Sequence, residues 1–205
     1  MQYLTIKGEA SARYEISRSI FICSIKGIES FDEGMEYVKT ISKKFSDATH
    51  NCYAIVTINN EQKFSDNGEP QGTAGMPIVQ VLKKRNLSNV ACIITRYFGG
   101  IKLGAGGLVA SYTKATCDGI DNAIIITKKE SAILSITVEY SDYSTINNVL
   151  ENGNYPVLDR RYDNAIEIDF AVPIDEENAL RETLREKSNG RITPKKIEVK
   201  YIDYK

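Results

Sequence analysis

At 205 residues the chain has room for one large domain or two of about 100 residues each. Its 26 Lys and Arg against 27 Asp and Glu give a net charge of −1, which excludes a protein that coats nucleic acid through bulk charge. No apolar run approaches the roughly 18–20 residues that span a bilayer, and the opening MQYLTIKGEA lacks the basic and apolar blocks of a secretion signal, so a cytoplasmic protein with no membrane partner is expected.

The even balance hides an asymmetry. Residues 1–128 carry net +3 and residues 129–205 net −4. From Pro70 to Cys117 there is no Asp or Glu, while Lys83, Lys84, Arg85, Arg96, Lys102 and Lys114 all fall there, enough for a local positive patch. Cys23, Cys52, Cys92 and Cys117 stand singly among apolar residues without CxxC spacing, as reduced, buried thiols would.

In chain order, Tyr3–Lys7, Arg13–Ser17 and Ile20–Lys26 have strand character. Phe31, Met35, Val38, Ile41 and Phe45 recur at three- and four-residue steps, which predicts a helix over 31–45. Ser30 with Glu33 makes a capping box at its start, and Lys43 and Lys44 suit its negative end. Asn51–Ile58 and Val90–Thr95 are short apolar runs of buried-strand type. Between them a loop is expected over 59–72, then a helix over about 76–84 with Pro77 in its first turn. A further helix is expected over about 107–123. Beyond a boundary near residues 127–130, Ala132, Leu134, Ile136 and Val138 alternate as a strand. Asp142 is the expected cap of a helix carrying Ile146, Val149 and Leu150. Two strands follow, Tyr155–Tyr162 and Ile166–Val172, and Asp175 is the expected cap of a helix with Leu180 and Leu184 inward. Lys196–Tyr201 closes the chain as a strand with Ile197, Val199 and Tyr201 on one face. The order β-α-β-β-α-β is that of the ferredoxin-like split βαβ plan.

Seven of the 14 glycines lie between Gly72 and Gly107. Glycine costs unfolded-state entropy, so this density points to unusual backbone or close approach by something else. Two clusters stand out, Ser65-Asp66-Asn67-Gly68-Glu69-Pro70-Gln71-Gly72-Thr73-Ala74-Gly75 and Arg96-Tyr97-Phe98-Gly99-Gly100-Ile101-Lys102-Leu103-Gly104-Ala105-Gly106-Gly107. Each precedes a predicted helix, where free amides and the helix dipole make an anion site. Neither fits the P-loop or the dinucleotide-binding fingerprint.

These clusters, with Ala48-Thr49-His50-Asn51-Cys52-Tyr53-Ala54 ahead of them, resemble the signature segments of the YigZ/IMPACT family, and the likeness covers essentially the whole chain. The resemblance implies an α+β protein of two domains: residues 1–128 like ribosomal protein S5 domain 2, and residues 129–205 ferredoxin-like and similar to domains of elongation factor G. It implies regulation of translation for the eukaryotic members, and nucleic-acid or ribosome binding for the bacterial ones. Asn67 stands where the family often has a second aspartate, which weakens a paired-carboxylate metal site. The eukaryotic members carry a further N-terminal partner-binding domain; none precedes Met1, so their competition for a kinase activator is not expected of this chain.

The residues support a binding role over a catalytic one, with no cofactor, metal or catalytic residue assigned. Arg96, Lys102 and the amides of Gly99, Gly100, Gly104, Gly106 and Gly107 are expected to contact phosphate of RNA or the ribosome. Lys83, Lys84, Arg85 and Lys114 would extend that surface, and Tyr97 or Phe98 would stack on a base. His50, Asp66 and Glu69 are family-motif residues with bland alternatives: a structural histidine, and carboxylates that cap the next helix or hold Arg96. The rival is an enzyme or nucleotide-binding protein acting on a phosphorylated small molecule through the same loop, with His50 or Asp66 in proton transfer. A third is a module docking a translation factor through the C-terminal sheet.

Overall fold

The computed structural model describes residues 1–204. It is a mixed α/β chain with antiparallel sheets and divides into two compact units, Tyr3–Thr127 and a second from Lys128 onward that also takes Met1–Gln2. The division falls inside one continuous strand, β7 (Ile125–Val138).

In the first unit, after β1 (Gln2–Ile6), a five-stranded sheet runs in the order β2 (Glu9–Ile16), β3 (Ser19–Gly27), β6 (Val90–Tyr97), β4 (His50–Val56) and β5 (Gln62–Ser65). β6 is central and nearly wholly apolar because both its faces are covered. On one face lies α1 (Phe31–Lys44), whose Tyr37, Val38 and Ile41 pack on Ile55, Ala91 and Ile93. On the other lie α2 (Gly75–Lys84) and α3 (Gly104–Asp121), whose Ile78, Leu82, Leu108 and Tyr112 pack on Phe21, Cys23, Cys52, Ala54, Cys92 and Ile94. The alternation of side chains along each strand therefore sorts residues between two cores. Ser30 Oγ accepts from Glu33 N, and the Glu33 carboxylate accepts in return from the backbone N–H of Glu29, one residue before the cap, a variant of the expected capping box.

The second unit follows with α4 (Tyr140–Asn152), β8 (Val157–Tyr162), β9 (Ile166–Pro173), α5 (Glu177–Lys187) and β10 (Lys195–Tyr204). The strand order β10, β7, β9, β8 is the split βαβ arrangement. Leu134, Ile136, Ile168 and Phe170 form its core with Ile146, Leu150, Leu180 and Leu184 of the helices. Among the described residues no helix is long and apolar enough to cross a membrane.

Several local expectations change. The loop over 59–72 contains β5, a short polar edge strand paired with Tyr53–Val56, which has no apolar alternation to betray it. The helix expected from about 107 begins at Gly104, because α3 extends by one glycine-rich turn over the sheet end. Asp142 is not the cap of α4. That helix starts after Glu139, and Asp142 sits in its first turn bonded to Arg191 at 2.8 Å. Asp175 likewise yields to Glu176 at the start of α5. Ile197 and Val199 share a face of β10, but that face is open, at 53% and 45% exposure.

Candidate functional site

One end of the first sheet gathers the signature residues. β4 begins there at His50 and β6 ends there at Tyr97, and the register sets His50, Arg96 and Phe21 side by side across three strands. Their even spacing with Cys52 and Ile94 turns them toward the face covered by α2 and α3. The β5–α2 loop, the β6–α3 loop and the β2–β3 turn close over this end.

Glu69 descends from the β5–α2 loop into the floor. Its Oε1 accepts from Arg96 Nη1 at 2.6 Å and from the Tyr112 hydroxyl at 2.9 Å. Both members of the Glu69–Arg96 pair are buried, with side chains 3% and 6% exposed. The guanidinium also lies over the rings of Phe21 and Phe98, at 5.3 and 5.5 Å. Desolvated charges of this kind are tolerated only when paired and hydrogen-bonded. Arg96 is therefore not the free cation expected for phosphate. Its charge is already matched by Glu69.

His50 fixes its Nδ1 on the carbonyl of Asn67 at 2.8 Å, leaving Nε2 at 3.9 Å from Glu69 Oε2. Cys52 Sγ is spent on the carbonyl of Asp66 and on Tyr112, and burial pushes its thiol up to about 12, away from thiolate chemistry. Burial, with Cys52 and Glu69 beside it, also holds the Tyr112 phenol far above its usual range. Asp66 caps α2 from eight residues upstream: its carboxylate accepts from the N–H groups of Gly72, Ala74 and Gly75 at 2.8, 3.0 and 2.8 Å. Burial works to raise its carboxyl, but the three amides outweigh it and hold it below the carboxylate range. Asn67, left-handed at φ 44°, offers Oδ1 to the N–H of Asn51 at 2.7 Å. The oxygen at this position ties the loop to β4, a job that an aspartate would do equally.

The glycines divide by task. At Gly99 a Cβ would lie 2.0 Å from the Arg18 carbonyl carbon, so this glycine lets the β6–α3 loop rest on the β2–β3 turn. Gly99 N–H donates to Ser19 Oγ at 3.1 Å. Gly100 and Gly104 hold φ of +82° and +71°, which bend the chain into α3. A Cβ at Gly106 would meet nothing within 4 Å beyond the helix's own backbone. Among the described residues no side-chain oxygen caps the start of α3, whereas Ser30 caps α1 and the Asp66 carboxylate meets the first amides of α2; the first turn of α3, like that of α2, holds no acid. Its first turn opens on a cleft of about 330 Å³ lined by Glu69, Pro70, Arg96, Phe98, Lys102, Leu103, Gly104, Ala105 and Leu108.

The other basic residues do not join this cleft. Arg85 pairs with Asp121 at 2.8 Å, which places the C-terminal ends of α2 and α3 together. Lys83 and Lys84 close α2 at that far end, about 27 Å along an 18-residue helix from Gly104. Lys114 lies midway, paired with Asp118 and over the Tyr14 ring. The expected continuous patch is thus split, and of its six basic residues Lys102 and Arg96 belong to the cleft. Tyr97 points to the opposite face of the sheet, where its hydroxyl donates to Asp47 at 2.9 Å. Phe98 is the ring at the cleft, 47% exposed.

Sequence reasoning missed Arg18, Ser19 and Tyr112. Ser17 and Arg18 both adopt positive φ, 48° and 63°, between β2 and β3. That is the backbone of a two-residue hairpin turn of a kind usually built from Asn and Gly. Neither residue advertises it. Tyr112 carries a fainter signal, as the one aromatic ring of α3.

Comparison with known proteins places these features in a lineage. Residues 17–120 match the family described as Impact N-terminal domain, and residues 136–191 match a domain of unknown function, DUF1949. The chain is similar to the IMPACT family member YvyE of Bacillus subtilis (strain 168), 36% identical over 203 residues, covering 98% of this chain and 94% of that protein. It is similar to the IMPACT family member YigZ of Escherichia coli (strain K12), 27% identical over 192 residues and covering 90% and 92%. Protein IMPACT of Oryctolagus cuniculus is 36% identical over 66 residues, 31% of this chain and 21% of that one. A crystal structure described as that of a hypothetical protein superposes with a TM-score of 0.64 at 25% identity, covering 96% of this chain and 98% of the other.

Proposed function

The chain belongs to the IMPACT family, and from that premise we propose that it is a cytoplasmic, translation-associated protein without catalytic turnover that binds RNA or the ribosome through the cleft at the start of α3. The observation that carries this reading is the bare N-terminus of α3. Every other helix of the first unit has its first amides met by a side-chain oxygen, Ser30 for α1 and Asp66 for α2. At α3 the amides of an 18-residue helix face a cleft with Lys102 exposed at its rim. Unmet amides, the helix dipole and a nearby cation together favour an anionic group, and phosphate is the anion that RNA presents. The polar side chains around the cleft, including the two offered for proton transfer, have structural work, and His50 fixes its Nδ1 on the Asn67 carbonyl. Asp66 holds three amides, Cys52 is a buried donor, and Glu69 neutralises Arg96.

Two substitutions test the reading by gel shift and ribosome co-sedimentation. Lys102→Ala is expected to weaken retention several-fold with unchanged thermal stability. Gly106→Asp supplies a carboxylate to the first turn of α3, into space where a Cβ meets nothing. It is expected to raise the melting temperature, because an acid there complements the dipole by about 0.3–1 kcal/mol, while abolishing retention. Retention unchanged in both variants would remove the cleft from the proposal. Strong thermal stabilisation by a phosphorylated metabolite, with no RNA retained, would favour the small-molecule alternative.

A further inference from the structure

We infer that the cleft receives one unpaired nucleotide, with its phosphate at the mouth beside α3 and Lys102 and its base inside against Phe98. This rests on the anion-binding reading of the same cleft and adds what the ligand must look like at its other end. The cleft is electrically divided. At the mouth are Lys102 and the first amides of α3. At the floor Arg96 has its charge matched by Glu69, so no net positive charge remains to draw a phosphate inward.

One polar atom of the floor lacks a hydrogen bond among the described residues. Glu69 lines the cleft, and its Oε2 has His50 Nε2 at 3.9 Å as its neighbour, beyond bonding distance. That oxygen calls for a donor. A phosphate diester has only acceptors, whereas the edge of a base carries donors as well. Between floor and mouth stands Phe98. Its ring is backed by the Arg96 guanidinium at 5.5 Å yet remains 47% exposed, as a stacking platform requires. The walls of Pro70, Leu103 and Leu108 are apolar, and about 330 Å³ lies at the small end of the ligand-cleft range of roughly 300–1,000 Å³. A base held in a duplex has its faces stacked and its edge paired, so only an unpaired nucleotide can enter. The chemistry is shared by a free nucleoside monophosphate and by a nucleotide of a single strand.

The test uses the full chain in fluorescence polarisation with an end-labelled eight-nucleotide RNA, first single-stranded and then annealed to its complement. The single strand is expected to bind at least tenfold more tightly than the duplex. Phe98→Ala should weaken the single strand by roughly five- to a hundredfold, the range for loss of one stacked base, and leave duplex binding alone. Phe98→Tyr should restore single-strand binding, which separates stacking from any folding defect. Competition with adenosine monophosphate distinguishes the sources: displacement assigns the site to free nucleotides as well, and failure to displace assigns it to a strand. Equal binding of single strand and duplex, with Phe98→Ala silent and Lys102→Ala still harmful, would overturn the unpaired-nucleotide inference while leaving phosphate docking standing. Absence of binding to any RNA or nucleotide would end both.

Discussion

At the scale of single residues, the site is held together by side chains whose work is structural, and two of them are open to direct test. Among the described residues Asp66 is the carboxylate that reaches the amides at the start of α2. Its folded-state pKa lies below the unfolded value, so its contribution is present above the unfolded pKa and fades as pH falls through the folded one. Asp66→Asn is expected to cost about 1 kcal/mol in urea denaturation at pH 7, as loss of a helix cap does. The gap between variant and parent should then narrow as the pH falls through the acid range. A gap that stayed constant with pH would show that the charge of Asp66 is not what the amides require. Gly99 presents a steric case. A methyl group there would meet the backbone of Arg18 and Ser19 at 2.0–2.3 Å, and backbone cannot swing aside as a side-chain tip can. Gly99→Ala should therefore destabilise by about 1–3 kcal/mol, the usual cost of overpacking. Thermal melts of Gly99→Ala beside Gly106→Ala, where the space is open, provide the internal comparison.

At the scale of elements, α2 and α3 run side by side in the same sense, and this decides which basic residues can act together. Arg85 and Asp121 join their C-terminal ends, so Lys83 and Lys84 stabilise the last turn of α2 at the end remote from the cleft. The double variant Lys83→Ala, Lys84→Ala is expected to bind RNA as the parent does, and a marked loss would place the docking surface elsewhere. The same two helices show why the glycine clusters differ. The first is a loop that folds back to cap α2 with its own aspartate, and the second delivers α3 with nothing at its start. In sequence both look like glycine-rich approaches to a helix. The distinction rests on where one carboxylate ends up.

For the whole molecule, a net charge of −1 and a divided set of cations bear on how binding should respond to salt. Few phosphates can be neutralised at the cleft, because Arg96 is already paired and Lys102 is the cation at the rim. A plot of log affinity against log salt for a single strand is expected to have a slope of about −0.7 to −1.4, from roughly 0.7 for each of one or two phosphates neutralised. A slope several times steeper would imply a broad cationic surface, which the positions of Lys83, Lys84 and Lys114 do not provide.

Much of the architecture was legible in the sequence. Period-three-and-four apolar spacing marked α1, alternation marked β7 and β9, and the order of elements specified the split βαβ unit, because these patterns are imposed locally by the geometry of the backbone. Asp66 and Glu69 were also readable as a helix cap and a partner for Arg96, since acids near a helix start and near a lone arginine have few other stable uses. The edge strand β5 and the turn at Ser17–Arg18 were not, because polar edges and non-glycine left-handed residues leave no periodic trace. The separation of Arg96 from Tyr97 was hidden because β6 runs on to Tyr97, two residues past the apolar run that marks it, and the strand's alternation sends the two side chains to opposite faces. Composition and local pattern thus determined that positive charge, glycine and aromatic rings would cluster in one stretch of chain. Only the packing of α2 and α3 over the sheet decided which of them share a cleft, because residues close in sequence are dispersed along two helices about 27 Å long or less, and Coulomb attraction within the buried Glu69–Arg96 pair removed a charge that the sequence counted as free.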